Sequence, residues 1–297
     1  MRIINNIGFG FLLLIGVNLQ SHALPPSADE PITIDAQRIV WKGDLDAMIQ
    51  RRIVRVLLPY NKTLYFLDKG GQQCGLMYDM MTEFEQNLNK QIASKNLKIH
   101  FIFLPTARDR LIPDLLAGKG DNIAADLTVT PERKKLIEFS SPIASGVKEV
   151  IVTSANGPTL NSLEDLSGKT VFVNPSTSYA NSLKRLNVEL HKQKKPLIII
   201  QDAPGIFETE DILEMVNANL VPITVSDLYL ADFWRKTFSN IRIHENLVLS
   251  SGGDIAFGFR KNSPELKKAL DAFTVKNKIG SSFGNQKLRL KILMALA

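Results

Sequence analysis

Between Gly118 and Pro142 the chain reads GKGDNIAADLTVTPERKKLIEFSSP, and polar groups able to hold an anion crowd into its middle. The apolar run Asn122–Ala125 predicts a short strand, with a polar loop from Asp126 to Thr130 after it. Pro131 suits the first position of a helix, and Thr130 before it suits a side-chain cap. Arg133 then falls one turn inside. A helix N-terminus with one arginine beside it is an anion site, well matched to a carboxylate. Thr128 and Thr130 would add hydroxyls and backbone N–H groups at the carboxyl end of a strand, where open α/β sheets hold ligands. A plainer reading fits as well: Thr130 only caps a helix, and Arg133 lies on the surface. The local chemistry leaves both readings open.

Other chemistry fails on inventory. His100, His191 and His244 lack metal-ligand spacing. Cys74 is the sole cysteine, which rules out an internal disulfide and points to packing. Gly118-Lys119-Gly120 lacks the spacing and the Lys-Ser/Thr end of a phosphate loop. Glu208, Glu210 and Asp211 read as a solvated helix start. We therefore expect no metal, no cofactor and no catalytic residue.

The elements that must position these groups alternate. Ile53–Leu58 is a β-branched and aliphatic run, predicting a buried strand. Met77 to Ile92 carries apolar residues at helical spacing, Lys98–Phe103 alternates as a strand, and Ala107–Ala117 is helical. A second series starts near Val147: strands at Glu149–Thr153, Thr170–Val173, Leu197–Ile200 and Val221–Val225, with helices from Tyr179, from Glu210, and after a Ser226 cap. Asp254–Phe259 and the helix of Ser263–Lys276, capped by Ser263, trail behind. Such series predict an α/β protein with mostly parallel sheets flanked by helices. If the trailing pair returns to the first series, the chain crosses twice between two lobes, and ligands bind in such hinged clefts.

The start of the chain reads as a targeting segment. Met1-Arg2, the apolar run Ile7–Val17 and the small residues around Ala23 predict a secretory signal over 1–23, too short to span a bilayer comfortably. No cysteine near Ala23 offers a lipid acceptor. The expected location is the periplasm. With 44% hydrophobic and 22% charged residues among 297, the mature chain has the balance of a folded globular protein rather than a disordered one. The formal charge of +6 is dispersed, without the dense patch or motif that nucleic-acid binding asks for.

The 118–142 stretch resembles bacterial solute-binding protein family 3, the periplasmic amino-acid-binding type. Gly118-Lys119-Gly120-Asp121, then Thr128, Thr130 and Arg133, then Phe139-Ser140-Ser141-Pro142 follow that family's order and spacing. The resemblance implies a two-lobed, type II periplasmic-binding-protein-like fold. It implies that Arg133 pairs with a ligand α-carboxylate, with Thr128 and Asp126 beside it. Thr177 and Ser178, in the loop after Gly168-Lys169-Thr170-Val171, resemble the small-residue loop that closes on the carboxylate. Asp227 stands where the family holds an acid for the α-ammonium; a helix-start aspartate favouring the dipole is the plainer alternative. Two departures bear on the ligand. Leu58-Pro59-Tyr60 replaces a frequent acid, and Arg108 replaces a frequent aromatic lid. Arg108 then reaches a second carboxylate or pairs with Asp109 or a surface acid, and Tyr65 is an aromatic wall or core.

Trp41-Lys42-Gly43-Asp44-Leu45-Asp46, Arg51-Arg52, Ser251-Gly252-Gly253 and Gly280–Asn285 are similar to the N-terminal module of membrane-bound lytic transglycosylase F-like proteins. With Ala297 as the last residue, the resemblance implies that module without the catalytic domain. The expected organisation is a signal (1–23), a leader (24–52), lobe 1 (53–146 with 248–280), lobe 2 (147–247) and a tail (281–297). The expected function is binding of an amino-acid-like solute or muropeptide by a monomer, without turnover. Its partner would be a transporter permease of the ABC type or a cell-wall enzyme, and the alternative role is a regulatory module in peptidoglycan turnover.

Overall fold

A computed structural model describes residues 39–92 and 98–277 of the chain. The signal expected over 1–23, the leader up to residue 38 and the tail 281–297 lie outside these described residues. The first half comprises α1 (Leu45–Arg51), β1 (Ile53–Leu58), the short pair β2 (Phe66–Leu67) and β3 (Gln73–Cys74), and α2 (Leu76–Gln91). It continues with β4 (His100–Pro105), a 3-10 turn leading into α3 (Leu111–Leu116), β5 (Asn122–Thr128), α4 (Pro131–Leu136) and β6 (Glu138–Phe139). β7 (Ala144–Ser154) leads to β8 (Thr170–Val173), α5 (Ser178–Lys192), β9 (Ile199–Asp202), α6 (Thr209–Asn217), β10 (Ile223–Asp227) and α7 (Leu228–Trp234). β11 (Ile241–Phe259) and α8 (Pro264–Asn277) follow.

β1 is covered on both faces, and its one charged side chain, Arg55, is fully buried with the rest. Val54, Val56 and Leu58 meet α1, α2 and α8, while Leu57 meets α3 through Leu111 and Leu115. In α2, Met77, Met80, Met81, Phe84 and Leu88 recur at helical spacing and are all buried. Each contributes about 1.5–3 kcal/mol by leaving water. A separate pair of cores lies in the second half, around Leu183 and Leu190 of α5 and around Leu213, Val216 and Trp234 of α6 and α7.

Parallel pairing is carried by β1 with β4 and β5 in the first half, and by β8 with β9 in the second. The strands β7 and β11 join the halves, running antiparallel to each other in the sheet order β10-β7-β11-β5-β1-β4. Both bend as they cross. Gly146 and Gly252 sit at φ of 72° and 75°, a backbone region that side chains resist, and the β7–β11 register shifts between His244 and Ile255.

Several boundaries differ from the sequence reading, each for a tertiary reason. β5 runs on to Thr128 instead of ending at Ala125, because Ile255 and Ala256 of β11 pair with Thr128 and Leu127. β11 begins at Ile241, well before Asp254, because β7 supplies its partner. Ser226 is strand, its hydroxyl donating to the Asp227 carbonyl, so it caps nothing.

The residues from 39 to 52 are part of the first half rather than a separate leader. Leu45 and Met48 enter its core. Asp44 caps α1 through Leu45 N (2.7 Å) and also receives Glu265 N (2.7 Å) and Leu266 N (2.9 Å) of α8. The α8 amides are thus held from a distant segment, where the sequence points to Ser263. Asp44→Ala removes acceptors from two helix starts and should lower stability by about 1–2 kcal/mol in urea unfolding. A loss below about 0.3 kcal/mol would show that water replaces the carboxylate at both ends.

Candidate functional site

The crossing strands bring the end of β5 and the N-terminus of α4 against the starts of α5, α6 and α7. A cavity of about 90 Å³ lies between them. From the first half, Asp126 takes φ of 52°, a left-handed conformation that costs a non-glycine residue about 1–3 kcal/mol. Its carboxylate accepts the hydroxyl of Tyr229 on α7. Two residues on, Thr128 Oγ1 lies 3.1 Å from Ser178 Oγ. Thr130 caps α4 by accepting Arg133 N (3.3 Å). That short helix turns the Arg133 side chain back, where it donates to Thr128 O (2.7 Å) and Ser176 O (2.9 Å).

The second half presents a loop that Asn174 folds. Asn174 Oδ1 accepts Ser176 N (2.9 Å), and the Asn174 carbonyl accepts both the Thr177 N–H (3.1 Å) and its hydroxyl (2.7 Å). Thr177 and Ser178 are therefore set at the start of α5. Asp227 ends β10, its backbone N–H donating to the Tyr179 hydroxyl (3.1 Å). Arg108 crosses from the first half to Glu208, its Nε 3.1 and 3.0 Å from the two carboxylate oxygens, and its Nη1 donates to Ala125 O (3.2 Å). Trp234 Nε1 donates to Thr63 Oγ1 (3.2 Å), and Lys62 reaches Asp211 (3.3 Å) and Glu214. With so many bonds across it, the cleft is closed.

Charge is unevenly compensated inside. Burial, then the charge of Arg108, lower Arg133 to about 10, with Glu149 partly offsetting them. Among the described residues, Arg133 makes no ion pair with a carboxylate. Arg108 is the opposite case: burial lowers it, and Glu208 followed by Asp126 more than offset that, so its pKa is raised. Burial, then Asp126 and Glu149, push the Asp227 carboxyl well above its ordinary value. Burial also raises Asp126, against the Tyr229 hydroxyl and Arg108. Burial holds Glu210 up to about 7, with the Thr63 hydrogen bond opposing it and Glu208 adding to it. A guanidinium without a carboxylate and carboxyls that resist ionising face one space. A zwitterion supplies what both lack.

Seven residues singled out from the sequence line this cavity: Arg133, Thr128, Asp126, Asp227, Thr177, Ser178 and Arg108. Two do not. Thr130 is spent on the α4 cap. Tyr65 packs in the first core, stacked on Phe103 at 6.1 Å, with its hydroxyl on Gln73 Oε1 (3.1 Å). Arg108 pairs with Glu208 rather than with Asp109. The expectation of a solvated start for α6 fails as well: Glu208 is 3% exposed and Glu210 2%. Thr209, Ile212, Leu213 and Val216 recur at helical spacing, a signal that this helix start turns inward. Tyr179 and Tyr229, which hold the two aspartates, carried no sequence signal of their own.

Comparison with known proteins agrees on one family. The sequence profile of the bacterial extracellular solute-binding proteins, family 3, matches residues 55–280. The membrane-bound lytic murein transglycosylase F of Methylobacillus flagellatus is 24% identical over 197 residues, covering 66% of this chain and 39% of that protein. The chain thus spans less than half the length of that relative. The L-cystine-binding protein TcyJ of Escherichia coli is 26% identical over 202 residues, covering 68% of this chain and 71% of TcyJ. Among solved structures, an ancestral arginine-binding protein bound to arginine superposes with a TM-score of 0.64 at 22% identity, covering 80% of this chain and 96% of that one. That likeness gives the fold: two-lobed, of the type II periplasmic amino-acid-binding kind.

Proposed function

This chain belongs to the bacterial extracellular solute-binding proteins, family 3, and on that premise we propose that it is a periplasmic receptor whose lobes close on a small α-amino-acid-like solute. The observation that carries the proposal is the unequal pairing of charge in the cleft. Arg133 donates only to carbonyls there, while Asp227 is buried beside Asp126. An α-carboxylate on Arg133, within reach of the Thr128 and Ser178 hydroxyls, neutralises the first. An α-ammonium against Asp227 and Asp126 lets the second pair ionise. The role is binding without turnover. Closure over the solute then offers a changed surface to a partner, a membrane permease or a cell-wall enzyme. The match to lytic transglycosylase F favours a second reading, a sensor module in peptidoglycan turnover.

Thermal unfolding of the full chain with L-amino acids, simple dicarboxylates and muropeptides tests this. A ligand at about 100 times its Kd adds about 2.7 kcal/mol, which raises the Tm of a chain this size by about 5–10 °C. We expect that shift with one or more free α-amino acids and none with dicarboxylates. A shift with muropeptides alone would move the protein to the second reading, and a shift with dicarboxylates alone would overturn the zwitterion site.

A further inference from the structure

Glu210 lies at the second position of α6 and lines the same cavity. Its side chain is only 2% exposed, and its Oε1 has no hydrogen-bond partner. A buried carboxylate oxygen left unpaired costs about 1–3 kcal/mol or more, so a protein retains one where something else completes it. The charges nearest to it, Glu208 and Asp211, are both negative. The cations close by are spent elsewhere: Arg108 on Glu208, and Lys62 on Asp211 and Glu214. The Thr63 hydroxyl and the Glu210 backbone N–H both hydrogen-bond its carboxylate, and the same hydroxyl receives the Trp234 indole N–H. Glu210 stands on α6, a different element from those that carry Arg133 (α4) and Asp227 (the end of β10), the groups assigned above to the α-carboxylate and α-ammonium. The same cavity is walled by Leu64, Leu76, Leu230 and Phe233.

Resting on the amino-acid reading above, we propose that Glu210 is the specificity residue for a second cation, so that the solute is a dibasic α-amino acid with an aliphatic stem. Methylene groups lie along the leucines and Phe233. The terminal ammonium or guanidinium donates to Glu210 Oε1, and Thr63 holds the carboxylate in place. A dibasic solute brings two positive centres and one negative, which suits a cavity holding more carboxyls than unpaired guanidiniums. A neutral side chain of equal length fills the same space but leaves Oε1 unpaired, and an acidic one adds like charge.

The test is calorimetric titration of the full chain with L-arginine, L-lysine, L-citrulline and L-norleucine, repeated on Glu210→Gln. Citrulline and norleucine keep the α-groups and the stem but lack the terminal charge. Arginine or lysine should bind roughly 10- to 100-fold more tightly than its neutral counterpart. Glu210→Gln should remove most of that ratio while leaving the neutral amino acids within about threefold of their wild-type Kd. Equal affinity for charged and neutral side chains in the wild-type protein overturns the assignment of Glu210 and leaves the amino-acid reading standing. An equal loss for all four ligands in the variant also overturns it. Failure of all four to bind wild-type protein overturns the dibasic assignment, while the amino-acid reading stands or falls with the wider thermal screen above. The wild-type ratio needs no variant, so poor folding of Glu210→Gln does not blunt the test.

Discussion

Arg133→Ala will weaken solute binding on the order of 100-fold or more while leaving a folded chain. A guanidinium has five N–H donors. Two are seen on the carbonyls of Thr128 and Ser176, one from each side of the cleft. On the proposed reading the remaining donors serve the solute carboxylate. Removing the side chain leaves that carboxylate desolvated and unpaired, which is costlier than the bond itself is worth. It also removes a tie across the closed cleft, so the loss should fall chiefly on the dissociation rate. Stability should change little, because burial already disfavours this cation and its loss breaks no ion pair among the described residues. Arg133→Lys supplies a point charge but no planar fork, and should recover only part of the affinity. Surface plasmon resonance of an amino acid that shifts the wild-type Tm gives the comparison, with circular dichroism as the check on folding. A Kd for Arg133→Ala within about threefold of wild type would remove Arg133 from the carboxylate site.

What the sequence reveals of this site follows from how local each contact is. The cap at Thr130 and the helix opened by Pro131 lie within one turn of each other, so residue types alone predict them, while the inward turn of Arg133 is implied only by the family resemblance. Buried strands such as β1 are legible for the same reason, because a run that is aliphatic but for Arg55 admits few other fates. Groups matched across the cleft are not legible. Asp126 meets Tyr229, Thr63 meets Trp234, and Arg108 meets Glu208 across separations of about a hundred residues or more. The residues beside Glu208 and Glu210 say that one face of α6 is buried, but not that the two carboxylates are covered with it. The periodicity of Thr209, Ile212, Leu213 and Val216 shows which way α6 faces but not what it faces. Strand ends share the difficulty: β5 extends through Thr128 only because β11 arrives alongside it. Tyr65 shows the converse. An aromatic residue near the cleft in sequence is drawn into the nearest core when Phe103 offers a stacking partner.

Asp121→Asn should be among the most destabilising single substitutions in the chain, costing about 3–5 kcal/mol and lowering the Tm by about 10 °C or more. Asp121 is fully buried and gathers three arginines: Arg55 (3.2 Å), Arg51 (2.7 Å) and Arg260 (3.1 Å). It also accepts the Arg55 backbone N–H (3.0 Å). Arg55, itself 0% exposed, donates further to the carbonyls of Ile39 (2.6 Å), Trp41 (3.2 Å) and Gly118 (2.8 Å), and its guanidinium lies 4.8 Å from the Trp41 ring. The network thus ties the segment before α1, the turn before β5 and the end of β11 to β1. An amide of the same shape keeps the packing but leaves a cluster of guanidiniums with no counter-charge. Carbonyls solvate such charges but do not neutralise them. The pH dependence gives an independent check. Burial pushes the Asp121 carboxyl up, but the hydrogen bonds from Arg55 and the charges of Arg51 and Arg55 more than offset it, so its pKa is lowered. A carboxylate whose folded value lies below its unfolded one stabilises the fold above the ordinary aspartate range. That contribution is lost as pH falls through the folded value. The stability gap between wild type and Asp121→Asn, measured by urea unfolding, should therefore be full at neutral pH and narrow only below about pH 4. A gap under about 1 kcal/mol at pH 7 would mean that the ring of carbonyls and Trp41 holds the three arginines without Asp121.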